Sequence, residues 1–156
     1  MKKWLLLATV MALAVLQLSW PEFLVFFHSR PDLLLVFVIA AVFYLDLKTA
    51  LVFGIVCGLL KDVFLPVPFG VNTLLFFAWC YAIRLLGRQI STEHDLTRFA
   101  IVLIAALLNN IISGLQSVNL GNLIPAGIFL RNLIVGALYT AALSPLIFKL
   151  TKKIAV

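Results

Sequence analysis

The stretch Gly58-Leu59-Leu60-Lys61-Asp62-Val63-Phe64-Leu65-Pro66-Val67-Pro68-Phe69-Gly70 reads as the end of one apolar helix, a stiff turn, and the start of another. Proline lacks the amide hydrogen a helix needs and pushes the residue before it out of the helical region, so Pro66 and Pro68 end the first helix. Upstream, residues 49–65 carry only Lys61 and Asp62 as charges; downstream, residues 71–86 carry only Arg84. Two apolar helices joined by a proline-glycine turn form a hairpin, and the same alternation of apolar run and polar break extends over the whole chain.

Composition sets the solvent. The 156 residues are 64% hydrophobic and 12% charged, with a mean hydropathy of +1.17, whereas a soluble domain is roughly 45–50% apolar and 25% charged. Lipid is therefore the expected surrounding. With about 20 residues per crossing, the length accommodates about six spans and no separate soluble domain. The expected spans are residues 4–20, 33–45, 49–65, 71–86, 99–117 and 131–148. The fold class is all-α: a polytopic six-transmembrane-helix bundle forming a single integral membrane domain over residues 1–156. Span 2 is short for a full crossing, and its helix is expected to begin near Pro31, a residue favoured in a first turn. Lys2 and Lys3 before an apolar run resemble a signal peptide, but Ser19-Trp20-Pro21-Glu22-Phe23 lacks the small-residue cleavage pattern, so span 1 is read as a retained helix.

The basic residues give an orientation. With the amino terminus in the cytoplasm, Lys2, Lys3, Lys48, Arg84, Arg88, Arg98, Lys149, Lys152 and Lys153 fall inside, and Arg30, Lys61 and Arg131 fall outside. This asymmetry places both termini in the cytoplasm by the positive-inside rule. The net charge of +6 sits at helix ends rather than on a water-facing surface. It therefore points to anionic lipids as partners and away from nucleic acid. Cys57 and Cys80 lie within spans and read as packing thiols.

Three groups of residues are candidates for function. Gly54, Gly58 and Asp62, spaced by four, share one face of span 3. Small residues at that spacing allow close helix approach, so the face serves either packing within the bundle or the gripping of a partner. Ala8 and Ala12 make a second small-residue face on span 1. Asn109, Ser113 and Gln116 share a face of span 5, where they either hydrogen-bond across the bundle or line a polar cavity. The uncharged segment 116–130 is expected to be an outer loop on the membrane surface. Catalytic constellations are missing: there is no Gly-x-Ser-Gly segment of the rhomboid type and no aspartate motif of a lipoprotein signal peptidase. His28 and His94 fall in loops on opposite sides, so no shared metal site is expected, and no cofactor is implied.

The run from Gly58 to Gly70 resembles the signature of the bacterial rod shape-determining MreD family. The resemblance includes the Arg30-Pro31-Asp32-Leu33 lead-in to span 2, the glycine-bearing span 3 ending in Gly-Leu-Leu-x-Asp, and the turn through Pro68 and Gly70. It implies a non-enzymatic inner-membrane subunit of the elongasome, involved in cell-shape maintenance and lateral peptidoglycan synthesis. The partner it implies is MreC, through a membrane helix. Through MreC come RodA, a class B penicillin-binding protein and, on the cytoplasmic side, MreB. It also implies a fold similar to the S components of energy-coupling factor vitamin transporters.

Two functions follow. The first is a scaffold that binds MreC, for which Gly54, Gly58 and Asp62 are the leading structural or partner-facing residues and Arg30 and Asp32 come second. The other is a transporter S component that captures a small molecule with Asn109, Ser113 and Gln116. An intramembrane enzyme would need a second carboxylate beside Asp62. A homodimer is left open by the sequence.

Overall fold

The computed structural model describes residues 3–22, 25, 29–64, 68–87, 94–121 and 125–155. Six helices account for most of them: α1 Lys3–Leu18, α2 Leu33–Tyr44, α3 Leu47–Phe64, α4 Val71–Leu86, α5 Asp95–Asn119 and α6 Ala126–Ala155. His28 and Pro66 lie outside the described residues.

α2 is the centre of the bundle. Its sequence, LLLVFVIAAVFY, is apolar all round, and every residue from Leu33 to Val42 is buried. An all-apolar helix suits either lipid or protein around it, and here protein surrounds it. The other helices provide that cover: α4, α3 and α1 form an arc on one side, and α6 with α5 closes the other. Phe37 meets Phe53 of α3 edge-on at 6.1 Å, and Phe43 and Tyr44 pack against Phe148 of α6. The outer helices show the complementary pattern. In α1, Leu6, Val10 and Ala14 face inward, while Trp4, Met11 and Val15 are exposed, as a lipid-facing surface requires.

The 12 residues of α2 span about 18 Å at 1.5 Å per residue, short of the roughly 30 Å hydrocarbon core. Both helix ends therefore lie inside protein, and their unpaired backbone groups need partners there. At the amino-terminal end, Asp32 is the cap: its Oδ1 accepts from the Leu35 amide at 3.1 Å. Gln17 of α1 reaches over to accept from the Leu34 amide at 3.2 Å. At the carboxy-terminal end, the Arg84 guanidinium of α4 donates to the Val42 carbonyl at 3.0 Å. A carboxylate at the first end and a cation at the second both complement the helix dipole.

α5 and α6 are each long and apolar enough to cross a membrane unaided. α6 accommodates Pro145 within its length. The helix of span 2 starts at Leu33, its expected bound, with Asp32 as its cap and Pro31 just outside. Two expectations need correction. The segment 116–130 is not one continuous loop: α5 continues to Asn119 and α6 begins at Ala126, directly after Pro125. Lack of charge did not mean lack of helix, and a proline placed before the first turn favours one. Lys61, counted as an outer charge, is buried. The two cysteines are free and buried, and the Cys80 thiol donates to the Ala50 carbonyl at 3.5 Å.

The α3–α4 hairpin is closely packed because Gly58 has no side chain. A Cβ there would fall on the Thr73 backbone, 2.8 Å from its nitrogen and 3.0 Å from the Asn72 carbonyl oxygen. Backbone atoms cannot yield as a flexible side chain would. Gly58→Ala is expected to destabilise the bundle by about 3 kcal/mol, at the upper end of overpacking costs. Thermal unfolding of the purified protein in detergent measures this, and an unchanged midpoint would show that α3 and α4 separate freely.

Candidate functional site

Polar residues from α3, α5 and α6 converge at the amino-terminal end of α2. Asp32 Oδ2 accepts from Lys61 Nζ of α3 in a buried ion pair and from Asn109 Nδ2 of α5 at 3.2 Å. The Asp32 amide donates to Thr140 Oγ1 of α6 at 3.1 Å, and the Thr140 hydroxyl in turn donates to the Gly136 carbonyl at 2.7 Å. One aspartate thus joins α2 to α3, α5 and α6. The Lys61 ammonium also lies 5.1 Å from the centre of the Phe76 ring, a cation–π contact that offsets part of its desolvation.

Asp62, the next residue, turns the other way and serves α4. Its carboxylate accepts from the amides of Gly70 at 3.0 Å, Asn72 at 2.9 Å and Thr73 at 3.0 Å. It also accepts from the Asn72 side-chain amide at 2.9 Å and the Thr73 hydroxyl at 2.6 Å. The first turn of an isolated helix leaves four amides unpaired, and α4 lacks a capping side chain of its own because its N-cap is Gly70. That glycine has φ +95°, a left-handed conformation that disfavours any residue with a Cβ. Glycine at 70 sets the chain direction, and Asp62 supplies the missing cap from the neighbouring helix.

The glycine face of α3 is therefore enclosed. Gly54 lies against Cys80, where a Cβ would come within 2.8 Å of the sulfur, and Gly58 lies against Thr73. Pro68 is exposed on the turn. Its carbonyl accepts from the Val71 amide at 3.4 Å. Ala8 and Ala12 are exposed on the outer surface of α1. Arg30 is exposed beside the buried Asp32. Asn109 and Ser113 line a cavity of about 280 Å³ next to the ion pair, together with Gln17, Arg30, Asp32 and Lys61. Gln116 is half-buried and accepts through its backbone from the Leu120 amide; it does not line that cavity.

Sequence reasoning missed the part played by Lys61, and with it Thr140 and Gln17. A lysine in an apolar span almost always has a partner inside the protein, and that signal was available at position 61. Among the described residues, no group of three or more His, Cys, Asp or Glu side chains is placed to hold a metal ion. Asp32 and Asp62 are each fully engaged by cations or amides.

An all-helical bundle whose buried carboxylates hold helices together has the construction of a structural membrane protein. The chain belongs to the MreD family, the rod shape-determining proteins: the family model matches residues 1–154. That family consists of bacterial membrane proteins that determine cell shape and is not a known enzyme family. Neither the curated proteins nor the solved structures contain a match to this chain, so the likeness to transporter S components gains no support.

Breaking one partner of a buried ion pair strands the other charge, at a cost of about 3–5 kcal/mol, whereas replacing both with apolar or neutral groups is often close to neutral. Asp32→Asn should accordingly destabilise the protein by that amount, and adding Lys61→Met should recover most of it. Unfolding measurements on the two single variants and the double variant test this. A double variant that loses the sum of both singles would show that the pair is not coupled.

Proposed function

We propose that this chain is the non-enzymatic scaffold subunit of the elongasome and binds the membrane helix of MreC in the inner membrane. In this reading all six helices traverse the membrane, both termini are cytoplasmic, and the bound MreC links the bundle to the enzymes of lateral peptidoglycan synthesis. The observation that carries the reading is the family match along nearly the whole chain. The orientation rests on the basic residues, nine on the proposed inner side against three on the outer.

The structure narrows where a partner helix would dock. Gly54 and Gly58 pack against α4, which favours a docking site elsewhere on the bundle. Ala8 and Ala12 lie one turn apart on the exposed side of α1. On the same helix, Trp4 and Leu7 line, with Lys48, Thr49, Val52, Phe53 and Val56, a mostly apolar groove of about 480 Å³ between α1 and α3. Small residues beside such a groove allow the close approach that drives helix association in lipid.

Ala8→Leu combined with Ala12→Leu should reduce co-purification of MreC by at least about tenfold, corresponding to about 1.4 kcal/mol. Because both positions are exposed, the unfolding midpoint should not move. The assay is a detergent pull-down of the tagged protein from its native membrane, with co-purifying chains identified by mass spectrometry. Undiminished MreC recovery would rule out α1 as the docking face. Recovery of an energy-coupling transmembrane subunit with ATPases in place of MreC would overturn the scaffold reading itself.

A further inference from the structure

The cavity beside the Asp32–Lys61 pair has a composition that the internal ties do not explain. Its volume of about 280 Å³ far exceeds the roughly 10–15 Å³ needed for one buried water and falls just below the range of pockets that take drug-sized ligands. It is the size of a headgroup. Asn109 on its wall is 2% exposed. Its amide nitrogen is held by Asp32, which fixes the orientation of the amide, since the carboxylate attracts Nδ2 and would repel Oδ1. The Asn109 Oδ1 is then buried with no hydrogen-bond partner among the described residues. Buried polar atoms rarely stay unsatisfied, and no described residue supplies the donor.

The remaining polar groups on the wall present the opposite need. Gln17 uses its side-chain oxygen on the Leu34 amide, which leaves its NH₂ available. The Ser113 hydroxyl and the Arg30 guanidinium have no bonded partner among the described residues, and both line the cavity. Lys61 and Asp32 cancel, so Arg30 gives the site a net charge of +1. Leu18 and Phe64 complete the rim and are themselves exposed on the outside of α1 and α3, which joins the polar cavity to the lipid-facing surface. The walls come from the α1–α3 side and from α5, which packs chiefly on α6.

We propose that this cavity binds the headgroup of a membrane phospholipid that carries a phosphodiester and a free hydroxyl, with the glycerol headgroup as the fitting chemistry. The phosphate accepts from Arg30, Gln17 and Ser113. Asn109 Oδ1 is closed off at rest, and a small turn of its amide toward the cavity lets the headgroup hydroxyl donate to it, while the acyl chains leave past Leu18 and Phe64. A phosphate bound by arginine makes charge-assisted bonds. A zwitterionic ammonium headgroup would bring its positive charge to Arg30 and bind more weakly.

The test is native mass spectrometry of the full-length protein after exchange into detergent with phosphatidylglycerol, phosphatidylethanolamine or sn-glycerol 3-phosphate. The expected result is retention of phosphatidylglycerol over phosphatidylethanolamine. Arg30→Gln and the cavity-filling Ser113→Leu should each reduce bound phosphatidylglycerol by at least about tenfold. Arg131→Gln, an exposed cation that does not line the cavity, should leave retention as it is, and this control separates the cavity from general surface charge. Equal retention of the two lipids would overturn the proposal, as would wild-type retention by both cavity variants. Displacement of phosphatidylglycerol by sn-glycerol 3-phosphate would also overturn the lipid assignment and give the site to a water-soluble phosphoester.

Discussion

A buried carboxylate and a buried ammonium group organise this bundle. An unpaired ion at that depth is costly, so Asp32 and Lys61 must meet, and their meeting fixes the relative positions of α2 and α3. Asn109 and Thr140 converge on the same aspartate from α5 and α6. Without this tie, the amino terminus of α2 would be a buried helix end with unsatisfied amides. The tie holds four helices at one level and does so without hydrophobic selectivity, which lipid cannot supply because its tails are as apolar as the side chains.

The neighbouring residue extends the same logic. Lys61 and Asp62 are consecutive, so their side chains leave α3 about 100° apart. One goes to α2 and the other to the first turn of α4. Together they specify both the position of α3 along its axis and its rotation about it. A slip of one residue would break both sets of bonds, and Gly58 would no longer face Thr73. Packing and polar bonding on this helix therefore select the same register.

Much of the architecture was legible in the sequence because apolar runs and proline breaks are local signals. The six helices, the short central span and the Pro68–Gly70 turn are of this kind. The glycine face of α3 was legible as a face, but which surface it meets depends on how the hairpin closes. Asn109 stood out as a polar residue in an apolar helix, yet its bond to Asp32 joins residues 77 positions apart and no local pattern encodes that. Lys61 was counted among the outer-side charges, and position near a helix end carries the same signature whether the side chain points out or in. The segment around Gln116 misled for a related reason: glycine, asparagine and proline favour turns, but two of the longest helices still run into it from either side.

The helix lengths carry a mechanical consequence. The arc of α1, α3 and α4, with 16, 18 and 16 residues, extends about 24–27 Å, while α5 and α6, with 25 and 30 residues, extend about 37–45 Å. The described helices are thus shorter on one flank of the bundle than on the other. A bilayer of uniform thickness matches both flanks only if the long helices tilt or project, or if it thins beside α1, at a fraction of a kcal/mol for each ångström of misfit. Covering that flank with another helix relieves the deformation, so membrane elasticity adds to the attraction between this surface and any partner and makes it depend on the thickness of the host membrane.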